Sequence, residues 1–305
     1  MPNLSDLSAI NLAPLFPSTY LNQHLLPAVH PGQASWVWVV KTADGEQIVR
    51  TSRWCNVPDE DFWQAALRLF HADTSNMTQV GDLYRYLRTI SVIPTPNMLG
   101  VNNIGRQTFL IVEKLPGYTL ASFNDLPNQS LIMFGKSLAR IHSGRYSCFG
   151  SLPTLQGCRP VSQFHTLAVS VMEYLVTRYH AEDRDLRDYW AESLDQWKHL
   201  PPLDFASPIM LDMDPTQFLT DGTTITGMVD IELYVSGPRH LELIGLEYLL
   251  DQDHANAFRL GYETVLPLPA LEPFRKAYRL LLGLMSFQGL VDWPCWMNAP
   301  IRFEH

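Results

Sequence analysis

Residues 209–232 read IMLDMDPTQFLTDGTTITGMVDIE and contain the densest group of chemically informative side chains in the sequence. Two short runs, 217–219 and 225–229, flank a Thr-Asp-Gly turn and predict a β-hairpin. Asp212 stands before this hairpin, and Asp230 directly follows its second strand. Folding the hairpin brings its two ends together, so we expect both carboxylates to face one cleft.

A pair of carboxylates on short loops suits a divalent cation, or a base beside a metal. Gln217 adds a neutral oxygen donor at the start of the first strand. Ordinary turn acids are the alternative, and Asp221 beside Gly222 fits that alternative. Asp212 and Asp230 stand among apolar residues, where acids are uncommon, so they favour the functional interpretation.

The part of the chain before Leu115 predicts strands and one or two helices. Residues 35–42 and 47–51 flank an Ala-Asp-Gly turn, and residues 97–101 and 108–113 flank a second turn. Such pairs of runs around turn residues predict two further hairpins. Helical period appears between the two pairs.

Helical period dominates the sequence after the Leu-Pro-Gly at 115–117. Four segments carry it: 130–143, 164–180, 183–199 and 241–288. A chain of 305 residues also exceeds the usual size of a single core. We therefore predict an α+β protein with a small antiparallel-sheet lobe at 1–115 and a larger, mainly helical lobe at 116–305.

Charge and hydropathy exclude two classes of partner. The formal net charge is −9, and nucleic acids are bound by surfaces rich in Lys and Arg. No apolar run approaches the roughly eighteen residues that a membrane span needs. The first residues show no basic segment followed by an apolar one, so no secretion signal is predicted.

The cysteines form no C-x-x-C pair and have no metal-ligand spacing. There are four of them: Cys55, Cys148, Cys158 and Cys295. This pattern is typical of free thiols in a reducing compartment, and the expectation is a cytoplasmic protein.

Taken in order, these segments resemble the aminoglycoside phosphotransferase and choline kinase family, which has a protein-kinase-like fold. The most specific similarity joins Asp212-x-x-x-x-Gln217 to the family's HGDxxxxN catalytic loop, and MVDIE at 228–232 to its IDWE metal segment. Three further segments support the resemblance. Residues 109–120 are similar to the hinge, and residues 137–143 are similar to the helix after it. Residues 237–250 are similar to the stretch that carries a structural acid, which would be Glu242 here.

The resemblance implies transfer of a phosphoryl group from ATP or GTP, with Mg²⁺, to a hydroxyl of a small molecule such as an aminoglycoside, an amino alcohol or a sugar. Asp212 would be the catalytic base. Asp230 would hold Mg²⁺ against the nucleotide phosphates, and Gln217 would occupy the second metal-ligand position.

The resemblance also assigns the nucleotide contacts. Arg50, on the second strand of the first hairpin, matches the position of the basic residue that grips the α- and β-phosphates. The turn from Gly32 to Ala34 would cover those phosphates with backbone N–H groups. Backbone groups from Glu113 to Leu115 would bind the adenine.

Three departures from the family pattern lie in the catalytic loop. Met210 and Leu211 replace the family's His and Gly, and Gln217 replaces its Asn. The alternative to an enzyme is therefore a catalytically impaired, kinase-like binding or regulatory module.

A fourth departure concerns Arg50, which replaces a lysine and keeps the charge but not the geometry. The family pairs that lysine with a glutamate of the small-lobe helix. Here Asp82 is the nearest acid but is out of step, and Val80 falls nearer the register. An ion pair between Arg50 and an acid of this helix is therefore not expected.

The remaining polar and aromatic candidates have less specific interpretations. Glu232 follows the metal segment. Its side chain could contact either the catalytic loop or the substrate, and the sequence leaves both interpretations open. His142 is expected to be a packed, hydrogen-bonded histidine. Trp293, Trp296 and Phe303 favour packing over a substrate pocket.

An excess of acids marks the segment around the candidate site. Residues 201–270 contain eleven acids and two arginines. This excess would attract a cationic substrate, but it is also typical of any acidic surface.

Overall fold

The computed structural model describes residues 7–28 and 33–304, which form a small β-sheet lobe and a larger, mainly helical lobe. The strands are β1 (Tyr20–Leu25), β2 (Ser35–Thr42), β3 (Gly45–Ser52), β4 (Met98–Ile104), β5 (Gln107–Glu113), β6 (Tyr118–Thr119), β7 (Cys148–Ser151), β8 (Arg159–Pro160), β9 (Ser207–Met210), β10 (Phe218–Thr220), β11 (Ile225–Met228) and β12 (Tyr234–Gly237). The helices are α1 (Asp61–Phe70), α2 (Met77–Ile90), α3 (Asn128–His142), α4 (Phe164–Tyr179), α5 (Arg184–His199), α6 (Arg239–Leu246), α7 (Gln252–Glu263), α8 (Glu272–Leu284) and α9 (Trp293–Met297). The predicted two-lobed α+β architecture is confirmed.

The small lobe is built on an antiparallel sheet with the order β1-β2-β3-β5-β4. The two predicted hairpins are β2–β3 and β4–β5, and both are confirmed. Side chains alternate across β3, so Val49 packs in a core with Trp38 and Phe109 while Arg50 faces α2. In the sheet, Arg50 lies between Val37 of β2 and Leu110 of β5. The sheet therefore holds this cation at a fixed, central position.

The loop with the candidate acids leaves and rejoins a sheet at one place. Met210, the last residue of β9, pairs with Tyr234, the first residue of β12. Beyond that pair, the Leu211 N–H donates to the Leu233 carbonyl at 3.0 Å. Residues 211–233 thus form a loop closed at its base, with the predicted hairpin β10–β11 inside it. The closing strands were not predicted, because SPIM and YVSG are short and have no alternation.

Buried polar contacts support the base of this loop. The Met210 N–H donates to Glu242 Oε1 at 3.0 Å, and Glu242 Oε2 contacts His142 Nε2. His142 Nδ1 in turn lies 2.9 Å from the Tyr262 hydroxyl. The packed histidine and the structural acid expected from the sequence are both confirmed.

The large lobe packs its helices and the chain end into one core. Trp293, Trp296 and Phe303 are buried, as the packing interpretation predicted. Helix α1 packs against α4, and Phe70 contacts Phe164 there. In the described ranges, no helix is both long and apolar enough to cross a membrane.

The prediction of four free thiols is wrong for two of them. Cys148 and Cys158 form a disulfide whose Cα atoms are 5.7 Å apart, and Cys55 and Cys295 are free and exposed. Antiparallel pairing of β7 with β8 brings the two half-cystines together. Since their spacing matches no short cysteine motif, only the turn geometry reveals the bond. The cysteines therefore no longer support a reducing compartment.

Replacing Gly261 with alanine tests the close crossing of α3 and α7. A Cβ at Gly261 would collide with the Ile132 carbonyl oxygen, and one at Gly135 with that of Phe258. We expect Gly261→Ala to lower the free energy of unfolding in urea by more than about 2 kcal/mol. Gly100→Ala is the control, because its Cβ would meet only Asn102 Nδ2 at 3.4 Å. Equal effects of the two substitutions would contradict the close crossing.

Candidate active site

A cleft of about 770 Å³ brings together five of the side chains predicted from the sequence. They are Arg50, Asp212, Gln217, Asp230 and Glu232. Arg50 comes from β3 in the small lobe, and the other four come from the closed loop at 211–233. Because the loop is closed at its base, its four side chains lie together in the cleft with Arg50.

Asp212 lies two residues beyond the end of β9, at the base of the loop. Its Oδ1 is shielded from solvent and has no hydrogen-bond partner among the described residues. Burial raises the pKa of Asp212 well above its usual range, and the charges of Glu232 and Asp230 raise it further. A hydrogen bond from Gln217 acts on this pKa in the opposite direction. The carboxylate is thus a proton acceptor stronger than an ordinary aspartate.

Gln217 closes a short 3-10 turn, Pro215–Gln217, that the Asp214 side chain caps. Its carbonyl accepts the Val229 N–H at 2.8 Å, which fixes the turn against β11. The side-chain Oε1 is buried and has no partner within residues 7–28 and 33–304. An unpaired buried amide oxygen costs free energy unless a ligand or water completes it, so this atom is a candidate ligand for a hard cation.

Asp230 has a left-handed backbone, with a φ of 51°. This conformation is uncommon for a residue other than glycine, and such backbones cluster at functional sites. Its Oδ1 lies 2.9 Å from Arg50 Nη1, yet the side chain remains 46% exposed. The carboxylate therefore has a free side that faces the cleft.

Arg50 is buried and has three polar partners. Its Nη1 donates to the Tyr84 hydroxyl at 3.0 Å and also contacts Asp230, and its Nη2 contacts Glu232. Burial alone would lower the pKa of Arg50, but attraction to Glu232, Tyr84 and Asp230 raises it above its ordinary value. Arg50 therefore stays charged in the cleft.

Helix α2 contributes a hydroxyl, and not an acid, to Arg50. Asp82 is exposed and bonded to Arg85, at 2.5 Å between Oδ1 and Nη1. Tyr84 was missed in the sequence, although it lies one turn after Val80 and so on the same helical face. The sequence signal that could have identified Tyr84 is its place four residues after Val80, on the helical face expected to meet Arg50.

Glu232 lies against Arg50. Its Oε1 contacts Arg50, and its Oε2 is buried without a hydrogen-bond partner among the described residues. Burial raises the pKa of Glu232 despite the nearby cation, and the charge of Asp230 acts in the same direction. The side chain thus binds the small-lobe cation. The two roles left open by the sequence, contact with the catalytic loop and contact with substrate, stay predictions.

The predicted nucleotide contacts are only partly placed in this cleft. Gly32 lies outside the described residues, and its neighbours Gln33 and Ala34 line the cleft. Glu113 and Leu115 lie at the junction of the lobes and are not among the lining residues. The Glu113 N–H already donates to the Asn97 carbonyl at 2.9 Å. This amide is therefore not free to bind adenine.

Aromatic residues form another part of the cleft wall and were not singled out in the sequence. Phe62 and Trp63 reach it from α1, and Phe287 reaches it from the turn after α8. Their amphipathic pattern looks like ordinary core packing, so no sequence signal separates them from the core. They give the acidic cleft an apolar wall, which is typical of small-molecule sites.

The donor set matches a magnesium ion that is shared with phosphates. The described residues contain no group of three His, Cys, Asp or Glu side chains that would hold a metal alone. Mg²⁺ is usually bound by one or two carboxylates together with substrate phosphates and water. Asp230 and the unpaired Gln217 Oε1 provide oxygens of this kind. These residues fit a metal that arrives with a nucleotide.

No family model matches the chain, and no curated protein matches it in sequence. Solved structures do match. The aminoglycoside phosphotransferase APH(4)-Ia superposes with a TM-score of 0.60 at 17% identity, over 94% of this chain and 92% of that one. A GDP complex of aminoglycoside 2'-phosphotransferase-IIIa gives 0.62 at 14% identity, over 90% and 86%. Macrolide 2'-phosphotransferase MphH from Brachybacterium faecium gives 0.54 at 15% identity, over 92% and 93%.

These similarities confirm the protein-kinase-like fold predicted from the sequence. They extend over nearly the whole described chain, and the low identities mark it as divergent. A further structure of APH(4)-Ia, a mutant, holds AMP-PNP and hygromycin B.

The raised pKa of Asp212 predicts a stability that depends on pH. A carboxyl whose pKa is higher in the folded chain stabilises the fold while it is protonated. That contribution is complete below the ordinary aspartate pKa of about 3.9 and is lost as pH rises through the raised value. We therefore expect Asp212→Asn to have a Tm a few degrees above that of the wild-type protein at pH 8, since each kcal/mol of stability changes the Tm by about 2–4 °C. Near pH 4 the two Tm values should be equal.

The control for this prediction is Asp188→Asn, which changes an exposed acid of α5. Its Tm should follow the wild-type protein across the same pH range. A lower Tm for Asp212→Asn at pH 8 would contradict the prediction.

Proposed function

We propose that this protein is a phosphotransferase that moves the γ-phosphoryl group of ATP or GTP to a hydroxyl of a small molecule. The observation that carries the proposal is the meeting of Asp212, Gln217 and Asp230 with the buried cation of Arg50 in one cleft. Phosphoryl transfer depends mainly on positioning and on charge neutralisation, and this set supplies both.

Asp212 is the proposed catalytic base. It accepts the proton of the substrate hydroxyl as that oxygen attacks the phosphorus, and its raised pKa favours this acceptance. Gln217 lies beside Asp212 and favours its charged form, because it lowers the pKa of that carboxyl. Both lie on the loop that β9 and β12 close, so the base has a defined orientation.

The phosphates are proposed to lie between Arg50 and the loop. Arg50 would neutralise them from the small lobe, and backbone groups near Gln33 and Ala34 would cover them. Mg²⁺, held by Asp230 and Gln217, would supply neutralisation of the transferring group. Adenine contacts by Glu113 to Leu115 remain a prediction, and the Glu113 carbonyl or the following residues would have to make them.

The acceptor is proposed to enter beside the apolar wall. Phe62, Trp63 and Phe287 offer contact area there, and Asp214 adds a carboxylate to the same cleft. The combination suits a polar molecule with hydroxyl groups, and an amine on that molecule would gain from the acidic side chains.

A nucleotide-binding or regulatory module without turnover is the second candidate. The contact of Arg50 with Asp230 favours it, because this ion pair occupies one oxygen of the proposed metal ligand. Met210 and Leu211, which replace the family's His and Gly, favour it as well. Both candidates require the fold, and they differ in Mg²⁺-dependent binding and in transfer.

A thermal-shift titration with ATP and GTP, with and without Mg²⁺, tests the proposal. We expect a Tm that rises with nucleotide by mass action and rises further with Mg²⁺. Asp230→Ala should remove the Mg²⁺-dependent part. Asp188→Asn is the control and should behave as wild type. If neither nucleotide changes the Tm at millimolar concentration, the proposal that this protein is an enzyme is overturned.

A second test separates binding from chemistry. With an acceptor found in a hydroxyl screen, Asp212→Asn should lower kcat by about 10²–10⁴-fold, because a general base contributes about that factor. Nucleotide affinity should remain within about threefold of wild type, since Asp212 does not contact the phosphates in this proposal. Turnover above a few per cent of wild type would contradict Asp212 as the base.

A further inference from the structure

Arg50 lines the cleft, and partners in the protein use only some of its hydrogen-bond donors. Tyr84, Asp230 and Glu232 take three N–H groups, two on Nη1 and one on Nη2. Nε is buried and has no partner in the described part of the chain. Since a guanidinium has five N–H groups, the Nε–H and one hydrogen of Nη2 remain.

A lysine at this position would have no donor left for a nucleotide. An ammonium has three N–H groups, and three partners would use all of them. The family's lysine faces one acid from a helix, whereas Arg50 faces two acids from the loop and a hydroxyl from α2. The replacement of Lys by Arg and the change of partners are therefore one coupled change.

The partner that replaces the helix acid is Glu232. Its side chain is 7% exposed and that of Arg50 is 5% exposed, so their charges interact with little screening by water. The only acid of α2, Asp82, is bonded to Arg85 at the surface. The orientation of a small-lobe cation is thus fixed by the loop that also carries the candidate base.

We propose that Glu232 and Tyr84 are positioning residues for Arg50, and that position 50 needs an arginine because phosphate binds the two N–H groups these partners leave. The proposal rests on the proposed function, because it assumes a nucleotide in this cleft. It assigns Glu232 to Arg50, where the sequence had left a substrate contact open.

A pair of substitutions tests the division of donors. Binding of ATP with Mg²⁺, and of inorganic tripolyphosphate, is measured by calorimetry for Arg50→Lys, Tyr84→Phe and the double variant. We expect Arg50→Lys to weaken binding by about 10-fold or more, as loss of hydrogen bonds to a charged group does. Tyr84→Phe alone should weaken it by about threefold through poorer orientation.

The double variant gives the distinguishing result. In the Arg50→Lys background, Tyr84→Phe frees one ammonium donor, so it should strengthen binding by about threefold. A purely structural role of Tyr84 would weaken binding in both backgrounds. Removal of one buried hydroxyl leaves the side-chain volume nearly unchanged, and unfolding curves confirm that each variant is folded.

Glu232→Gln and Asp82→Asn form a matched pair for the second half of the proposal. Glu232→Gln should weaken nucleotide binding by about 10-fold, and Asp82→Asn should leave it within about twofold of wild type. The opposite order would overturn Glu232 as the positioning residue. So would equal effects of Tyr84→Phe in the two backgrounds, or wild-type affinity in Arg50→Lys.

The two proposals fail in different ways. If the wild-type protein binds neither ATP nor tripolyphosphate, the phosphotransferase proposal is overturned, and this inference with it. If the wild-type protein binds and the variants do not follow the stated pattern, this inference alone is overturned.

Discussion

Contact between Arg50 and Glu232 sets the relation between the small lobe and the loop beneath it. A buried guanidinium without negative partners costs several kcal/mol of folding free energy. The folded chain therefore has to bring the loop's carboxylates into contact with the sheet that carries Arg50. Arg50 also contacts one carboxylate oxygen of Asp230. Asp230 has a left-handed backbone and lies between β11 and Glu232 in the chain. A structural requirement for charge pairing thereby places the candidate site residues.

The cleft has an excess of negative charge that the protein itself only partly neutralises. Among the described lining residues, Arg50 is the cation, and the acids are Asp212, Asp214, Asp230 and Glu232. Burial and repulsion between the carboxylates raise the pKa of Asp212 and of Glu232. Such a site is less stable than it would be with neutral residues. A bound cation would reduce the repulsion between its carboxylates.

Local patterns in the sequence predicted most of the fold and the acids of the site. Asp-Gly turns between β-branched runs indicate hairpins, and helical period indicates helices, because both signals lie within a few residues. For Tyr84 the sequence offers only the helical face that it shares with Val80, and which residue of that face reaches Arg50 depends on the rotation of α2 over the sheet. The bond between Cys148 and Cys158 depends on the turn that joins these residues, which are ten positions apart. Strands β9 and β12 depend on each other. Both features therefore require the assembled lobe.

The arrival of Glu232 from the loop has a consequence for control. In protein kinases, a lysine–glutamate pair between strand and helix must be in place for activity, and displacement of the helix turns the enzyme off. Here α2 offers Arg50 a neutral hydroxyl, while the charge comes from a segment anchored by β9, β12 and Glu242. Swinging the helix outward would not strip the cation of its counter-ion. Within the described residues, the charge pairing of Arg50 is therefore independent of the position of α2.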